Sequence, residues 1–280
     1  MEWIAMRWRQ RSMLSSRRRI ATELRRYQFK EDHLMQAASY TEKEPTRFRR
    51  GQSWKINMFG QNSDIAAPDP QAFRLDLNAH QKLDSHFHIV DQFQVFIAGS
   101  GTIGRDEVRL VTVHYADHHT GYGPLIAGAQ GLSYLTLRSK TDAGLVYLTT
   151  PNVREKLRPT KRRHRTSDAV ALSIEPVLRN RTDLTVDTVI EEQPGDDGMN
   201  CKVLRLGPNM TAQTPDPARS GGQYLIVLNG SLVYQGETYK PFSLLFVRFD
   251  DPAPIISAGD GGLELMVTQF PTEDDWMKSI

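Results

Sequence analysis

A pattern of short β-type runs that occurs twice is what most constrains the fold of this 280-residue chain. From residue 53 the runs SWKINMF, FRLDL, SHFHIV, FQVFIAG, VRLVTVHY, SYLTLR and GLVYLTT alternate apolar and polar residues. Gly, Pro, Asn and Asp separate them, with turns expected at GSG, GYGP and GAQG. After Thr150 comes a second series: LSIEPV, LTVDTVI, CKVLRLG, GQYLIVLNGSLVYQG, ETYKPFSLLFVRF, PIISAG and LELMVTQF. Runs this short at this spacing predict an all-β barrel or sandwich. "FQVFIAGSGTIG" parallels "YLIVLNGSLVYQG", and "GAQGLSYLTLR" parallels "GDGGLELMVTQF", so an internally duplicated β-barrel is the simplest account.

The expected organisation is a basic N-terminal extension over 1–52, a first barrel over 53–150, a basic linker over 151–168 and a second barrel over 169–280. With 39% apolar and 24% charged residues the composition is that of a globular protein, and no apolar run approaches the roughly 18 residues of a membrane span. Cys201 is the only cysteine, which excludes an internal disulfide and makes a reducing, cytoplasmic setting the expectation. The net charge of +2 is uneven: 14 Lys+Arg against 6 Asp+Glu in residues 1–60 leave −6 for the rest. A mildly acidic body argues against nucleic acid as its main ligand. The extension reads as a targeting peptide, a basic arm or a solvated tail, and carries no secretory h-region. Residues 154–165 hold seven Lys+Arg against one Glu, without the interleaved aromatics that would stack bases.

Chemistry concentrates in "DSHFHIVDQFQVFIAGSG", residues 84–101. Side chains at i and i+2 share one face of a strand, so His86 and His88 point together while Phe87 packs the other way. Gln92 and Gln94 likewise share a face opposite Phe93, Val95 and Ile97, which places the glutamines in the lumen beside the histidines. The plain alternative for the histidine pair is packing or surface, and for Gln92 a lumen hydrogen bond. Tyr115, Tyr122 and Tyr134 are candidates to shape a pocket with Gln94, core packing being the alternative. No G-x-S-x-G elbow occurs, and "GSGTIG" joins two strands instead of opening a helix, so hydrolase and dinucleotide readings lack support.

These residues resemble the cupin family, and the doubled layout resembles a bicupin. The first cupin motif, G-x5-H-x-H-x(3,4)-E-x6-G, is matched in spacing by His86, His88, Gln92 and Gly99, with His80 at the opening glycine and Gln92 at the glutamate. The second motif, G-x5-P-x-G-x2-H-x3-N, is loosely kept. Taking His119 of "HYADHHTGYG" as its histidine puts His114 at the proline and Ala116 at the glycine, with His114 and then His118 as alternatives. The resemblance implies two double-stranded β-helix barrels and a divalent metal, Fe, Mn, Ni or Zn, held in the first by His86, His88, Gln92 and His119. Asp91 or Asp117 would then orient an imidazole.

Aligning Gln223 and Gly230 with Gln92 and Gly99 puts Pro217 and Arg219 where the paired histidines would be. Residues 166–280 contain no histidine, so the second barrel is expected to be structural, completing an intrachain pair or carrying a homodimer surface. The functional expectation is a metal-dependent oxygenase acting on a small, oxygen-bearing, anionic organic molecule. The alternative is a cupin that binds a small molecule, or serves structurally, without turnover.

Overall fold

Strands dominate the chain, and they dominate because the apolar residues recur with period two. The computed structural model describes residues 36–39, 47–50, 53–60, 65–193 and 197–280, so the expected basic extension lies mostly outside the described residues. In the first sheet, His164–Thr166, Val113–Ala116, Gln92–Ile103, Leu125–Arg138, Gln71–Leu77 and Ser53–Phe59 lie side by side. In the second, Leu244–Val247, Gln223–Tyr234, Ile255–Gln269, Asn200–Leu206 and Thr185–Ile190 do so. Every pairing between these strands is antiparallel.

The alternation decides which residues meet the other barrel. Phe93, Val95, Ile97, Val113, Tyr115, Leu135 and Leu137 of the first half form one buried cluster with Cys201, Val203, Tyr224, Ile226, Phe246, Met266 and Phe270 of the second. Phe93 meets Phe270 edge to face, with ring centroids 5.1 Å apart. One apolar layer therefore serves both barrels, and both lie within a single compact unit, Ala37–Ile280. The opposite faces form the lumens. In the first barrel that face carries Lys55, Gln71, Gln92, Gln94, Tyr134, Thr136 and Arg138. In the second, the face opposite Tyr224 and Ile226 carries Leu225 and Val227, both fully buried, with Leu245 and Val267 paired to Leu225.

Two expected turns are instead interior to long strands. GSG falls inside Gln92–Ile103 and GAQG inside Leu125–Arg138, and the chain reverses only after Ile103. The glycines are needed for a different reason. Gly99 has φ of 72°, and a Cβ there would lie 2.2 Å from the Gly131 carbonyl oxygen of the neighbouring strand. The register slips between Ala127 and Leu132, and this bulge lets the paired strands bend around the barrel. Gly230, with φ of 69°, stands 2.0 Å by the same measure from the Gly262 oxygen in the second barrel. The duplication is thus written in the backbone as well as in the apolar pattern.

Part of the expected linker is also built into the fold. His164–Thr166 pairs with Val113–Ala116, and Arg163 places its guanidinium between Asp117, at 2.9 Å, and Asp197, at 2.7 Å. Two carboxylates hold down one arginine of a run that composition alone marks as solvated.

Substituting Ala at Gly99 or Gly230 forces a side chain into the positive-φ region against a backbone oxygen. Each change is expected to lower stability by about 1–3 kcal/mol from backbone strain alone, read as a shifted midpoint in urea unfolding.

Candidate functional site

Three neighbouring strand ends converge at one mouth of the first barrel. Arg138 ends Leu125–Arg138 directly opposite Gln71, and Gln92 begins the strand on its other side. Lumen-facing side chains at those three positions must meet, and they do. Arg138 Nη1 donates to Gln71 Oε1 at 2.5 Å, and Arg138 Nε and Nη2 donate to Gln92 Oε1 at 2.9 and 2.6 Å. Nη1 also lies 3.3 Å from Asp142 Oδ2, and Nη2 lies 3.0 and 3.2 Å from the two ring nitrogens of His88. Every guanidinium nitrogen is engaged inside the barrel, and the residue is 4% exposed.

Asp142 anchors His88. Its Oδ2 lies 2.7 Å from His88 Nδ1 and accepts from the Gly144 amide, while Oδ1 accepts from the Ile89 amide. Burial alone would raise the acid, but the Arg138 guanidinium and His88 hold it well below the ordinary carboxylate range. An ionised Asp142 accepts only, so His88 Nδ1 carries the proton, and Arg138 Nη2, about equally far from the two ring nitrogens, lies over the face of the ring.

A second chain of hydrogen bonds is fixed in polarity from the same origin. Because Gln92 Oε1 faces Arg138, its amide nitrogen is the end that reaches the Tyr122 hydroxyl, at 2.7 Å. That oxygen accepts from Gln92, so its own proton goes to His86 Nε2, 3.1 Å away. His86 Nδ1 lies 2.7 Å from the Asp84 carbonyl, which can only accept, so Nδ1 is the protonated nitrogen. Burial, then the neighbouring His88, push the His86 pKa down to about 3, consistent with a neutral ring. The sequence Arg138, Gln92, Tyr122, His86, Asp84 carbonyl is one directed relay of donors to acceptors.

Around these groups lies a cavity of about 440 Å3, lined also by Lys55, Phe73, Gln94, Tyr134, Thr136 and Tyr147. Lys55 is 2% exposed, with its ammonium 3.6 Å from the centre of the Phe73 ring. The lining residues include three cations, Lys55, Lys82 and Arg138, and one acid, Asp142; Lys82 pairs with Asp84 at 2.7 Å.

The structure brings together His86, His88, Gln92, Gln94, Tyr122 and Tyr134 of the residues singled out from sequence. His119 is not with them. Its ring lies 5.8 Å from Phe87 and 4.9 Å from Trp276, on the side of the His86–Phe87 strand that faces away from the cavity. The reason is a frame error in the second motif. His119 has φ of 54°, the conformation that suits the motif's glycine, which puts Asp117 at the proline and Tyr122 at the histidine. Tyr122 accordingly pairs with His86 through backbone bonds of 3.0 and 3.1 Å.

Of the alternatives, His114 faces the lumen behind Tyr122, with Nδ1 2.9 Å from Gln94 Oε1, while His118 binds Asp91 at 2.7 Å and Asp274 at 3.1 Å. Tyr115 belongs to the layer between barrels and donates to Asp117, so it does not line the pocket. Neither Asp91 nor Asp117 orients a cavity imidazole; Asp142 does.

The expected four-ligand set is therefore not assembled. Among the described residues no three His, Cys, Asp or Glu side chains form a group able to hold a metal ion. Moreover, the lone pairs of His86 Nε2 and Gln92 Oε1 face proton donors, and the Arg138 guanidinium covers the face of the His88 ring. Sequence reasoning missed Lys55, Gln71, Arg138 and Asp142. For Arg138 the available signal was an arginine closing the alternating run SYLTLR on its lumen-facing phase.

No family model matches the sequence, and no curated protein matches it. Solved structures do match in fold. A putative dioxygenase from Nostoc punctiforme aligns over 85% of this chain and 83% of its own, with TM-score 0.57 and 12% identity. The oxalate decarboxylase of Lactobacillus farciminis, solved as a formate complex, aligns over 85% and 87%, with TM-score 0.53 and 11% identity. A bacterial pirin from Escherichia coli, in complex with nickel(II), aligns over 85% and 99%, with TM-score 0.50 and 10% identity. At such identities the likeness is one of fold.

Removing the Tyr122 hydroxyl leaves Gln92 Nε2 without its acceptor and His86 Nε2 without its donor. Tyr122→Phe is expected to cost about 1–3 kcal/mol in urea unfolding, with the far-ultraviolet circular dichroism of the native fold retained.

Proposed function

From the premise that this chain has the bicupin fold, two cupin barrels in one chain, we propose that the first barrel is a binding pocket for a small organic anion. The observation that carries this is the Arg138 guanidinium, 4% exposed inside the lumen, with the Lys55 ammonium, 2% exposed, on another wall of the same cavity. A guanidinium held inside a low-dielectric lumen keeps a positive field there, and that field favours an anion that enters. The volume of about 440 Å3 is that of a small-molecule site.

Lys55 and Arg138 would divide the work. The Arg138 nitrogens are engaged by Gln71, Gln92, His88 and Asp142, so its contribution to a ligand is mainly its field. The Lys55 ammonium, over the Phe73 ring on the adjoining wall, is a compact charge that suits contact with a carboxylate. Phe73, Leu75, Tyr134 and Tyr147 supply the apolar surface against which the organic part packs.

A metal-dependent oxygenase acting on such an anion is the second reading. It is favoured by the paired imidazoles of His86 and His88, whose ring centres lie 5.2 Å apart in the same cavity. Likeness in fold to the Nostoc punctiforme putative dioxygenase and to the nickel-bound pirin adds to it. Metal analysis of untagged protein separates the readings, since the oxygenase requires a stoichiometric ion that is lost in the His86→Ala, His88→Ala double variant.

Thermal-shift measurements with two- to six-carbon mono- and dicarboxylates, and with their neutral amides, test the first reading. At least one carboxylate is expected to raise the melting temperature while its amide does not, and Lys55→Gln is expected to abolish that rise. Equal stabilisation by amide and carboxylate would remove the anion from the proposal.

A further inference from the structure

Of the three lone pairs that motif spacing would offer to a metal, two face protons, and a guanidinium covers the ring that carries the third. His86 Nε2 accepts from the Tyr122 hydroxyl, Gln92 Oε1 accepts from Arg138 Nε and Nη2, and Arg138 Nη2 lies over the His88 ring, 3.0 and 3.2 Å from its two nitrogens. The fourth position of the set, where the second motif has its histidine, is Tyr122, whose oxygen receives the Gln92 amide. None of these contacts is incidental. Arg138 is fixed by Gln71 across the strand pair and by Asp142, and the direction of each bond follows from groups that can only donate or only accept.

We propose that in this barrel a covalently built-in cation replaces the metal: the Arg138 guanidinium and the Tyr122 hydroxyl occupy the coordination positions as proton donors, and the site operates without a metal ion. A guanidinium supplies a permanent positive charge that does not titrate and cannot be chelated away. It differs from a metal ion in keeping no coordination position for a ligand. Whatever enters the cavity is attracted by a fixed charge and is held by Lys55 and the lumen walls. The substitutions that distinguish this chain from the motif are then mutually consistent. A glutamate at 92 would add a second buried carboxylate beside Arg138, whereas the neutral amide accepts from Arg138 at one end and donates to Tyr122 at the other. A histidine at 122 would lack the hydroxyl that both receives the Gln92 amide and donates to His86.

The inference deepens the anion-pocket reading but stands on separate contacts, and the experiment reads the two apart. Full-length untagged protein is incubated with Co(II), Ni(II) or Zn(II), desalted and analysed by mass spectrometry, alongside Gln92→Glu/Tyr122→His/Arg138→Met, which restores the motif residues and removes the guanidinium. The native chain is expected to retain no stoichiometric metal and to show carboxylate-dependent thermal shifts unchanged by EDTA. The triple variant is expected to gain one ion per chain, with cobalt absorption bands absent from the native protein.

Should the triple variant fail to fold, the native measurement and Arg138→Lys, which keeps a cation and is expected to stay metal-free, carry the test alone. One bound ion per native chain, lost with His86→Ala and His88→Ala, overturns the inference even where carboxylates still bind through Lys55. Native protein free of metal but indifferent to every carboxylate sinks the anion pocket and leaves this inference standing.

Discussion

A buried guanidinium sets the terms for everything at the mouth of the first barrel. Desolvating a full positive charge costs several kcal/mol unless hydrogen bonds and a counter-charge replace the lost water. Arg138 finds both, donating to Gln71 and Gln92 and pairing with Asp142. That requirement propagates. Satisfying Arg138 fixes the rotation of the Gln92 amide, which fixes the direction of the Tyr122 hydroxyl, which fixes the His86 tautomer. In parallel, keeping Asp142 ionised fixes the His88 proton. The identities at 71, 88, 92, 122 and 142 make physical sense only together, as one satisfied network around one charge.

The two barrels divide apolar and polar burden by the phase of their strands. Each presents one face to the shared layer, and there the halves are chemically alike, with Phe93 and Tyr115 facing Tyr224 and Phe270. The lumen faces diverge. At matching positions Gln92 and Gln223 both begin a long strand, but Gln94 in the first barrel is answered by Leu225 in the second. Conserving the outer phase preserves the pairing of barrels, while the inner phase is free to become a polar cavity or an apolar filling.

Much of this was legible in residue order, for reasons that also explain the failures. Period-two alternation is a local property, so the strands, the shared phase of His86 and His88, and the lumen placement of Gln92 and Gln94 could be read directly. The duplicated outline correctly implied paired barrels. Turns at GSG and GAQG were misplaced because a positive-φ glycine serves a strand bulge as well as a hairpin, and only the opposing strand distinguishes the two uses. The second motif failed where its two defining small residues are replaced. With Asp117 for proline and His119 for glycine, three nearby histidines drew the frame toward an imidazole and away from Tyr122. Arg138 and Asp142 lie about fifty residues downstream of His88, and no local spacing announces that strand pairing will bring them beside it.

Loss of every histidine from residues 166–280 does not make the second barrel a bystander to the site. Tyr224, buried in the shared layer, donates its hydroxyl to the Arg138 backbone carbonyl at 3.0 Å, bracing the residue whose side chain organises the cavity. The chain's last segment reaches back as well. Trp276 Nε1 donates to the Ile89 carbonyl, Lys140 Nζ donates to the Met277 carbonyl, and Asp274 pairs with His118. Ile89 is the residue whose amide binds Asp142, so the contact from Trp276 supports the loop between His88 and Gln92 from behind. A site whose hydrogen bonds must all keep their direction needs its backbone held to within a fraction of an ångström. The second half of the duplication supplies that rigidity, which gives selection a reason to keep a barrel with an apolar lumen and no imidazole.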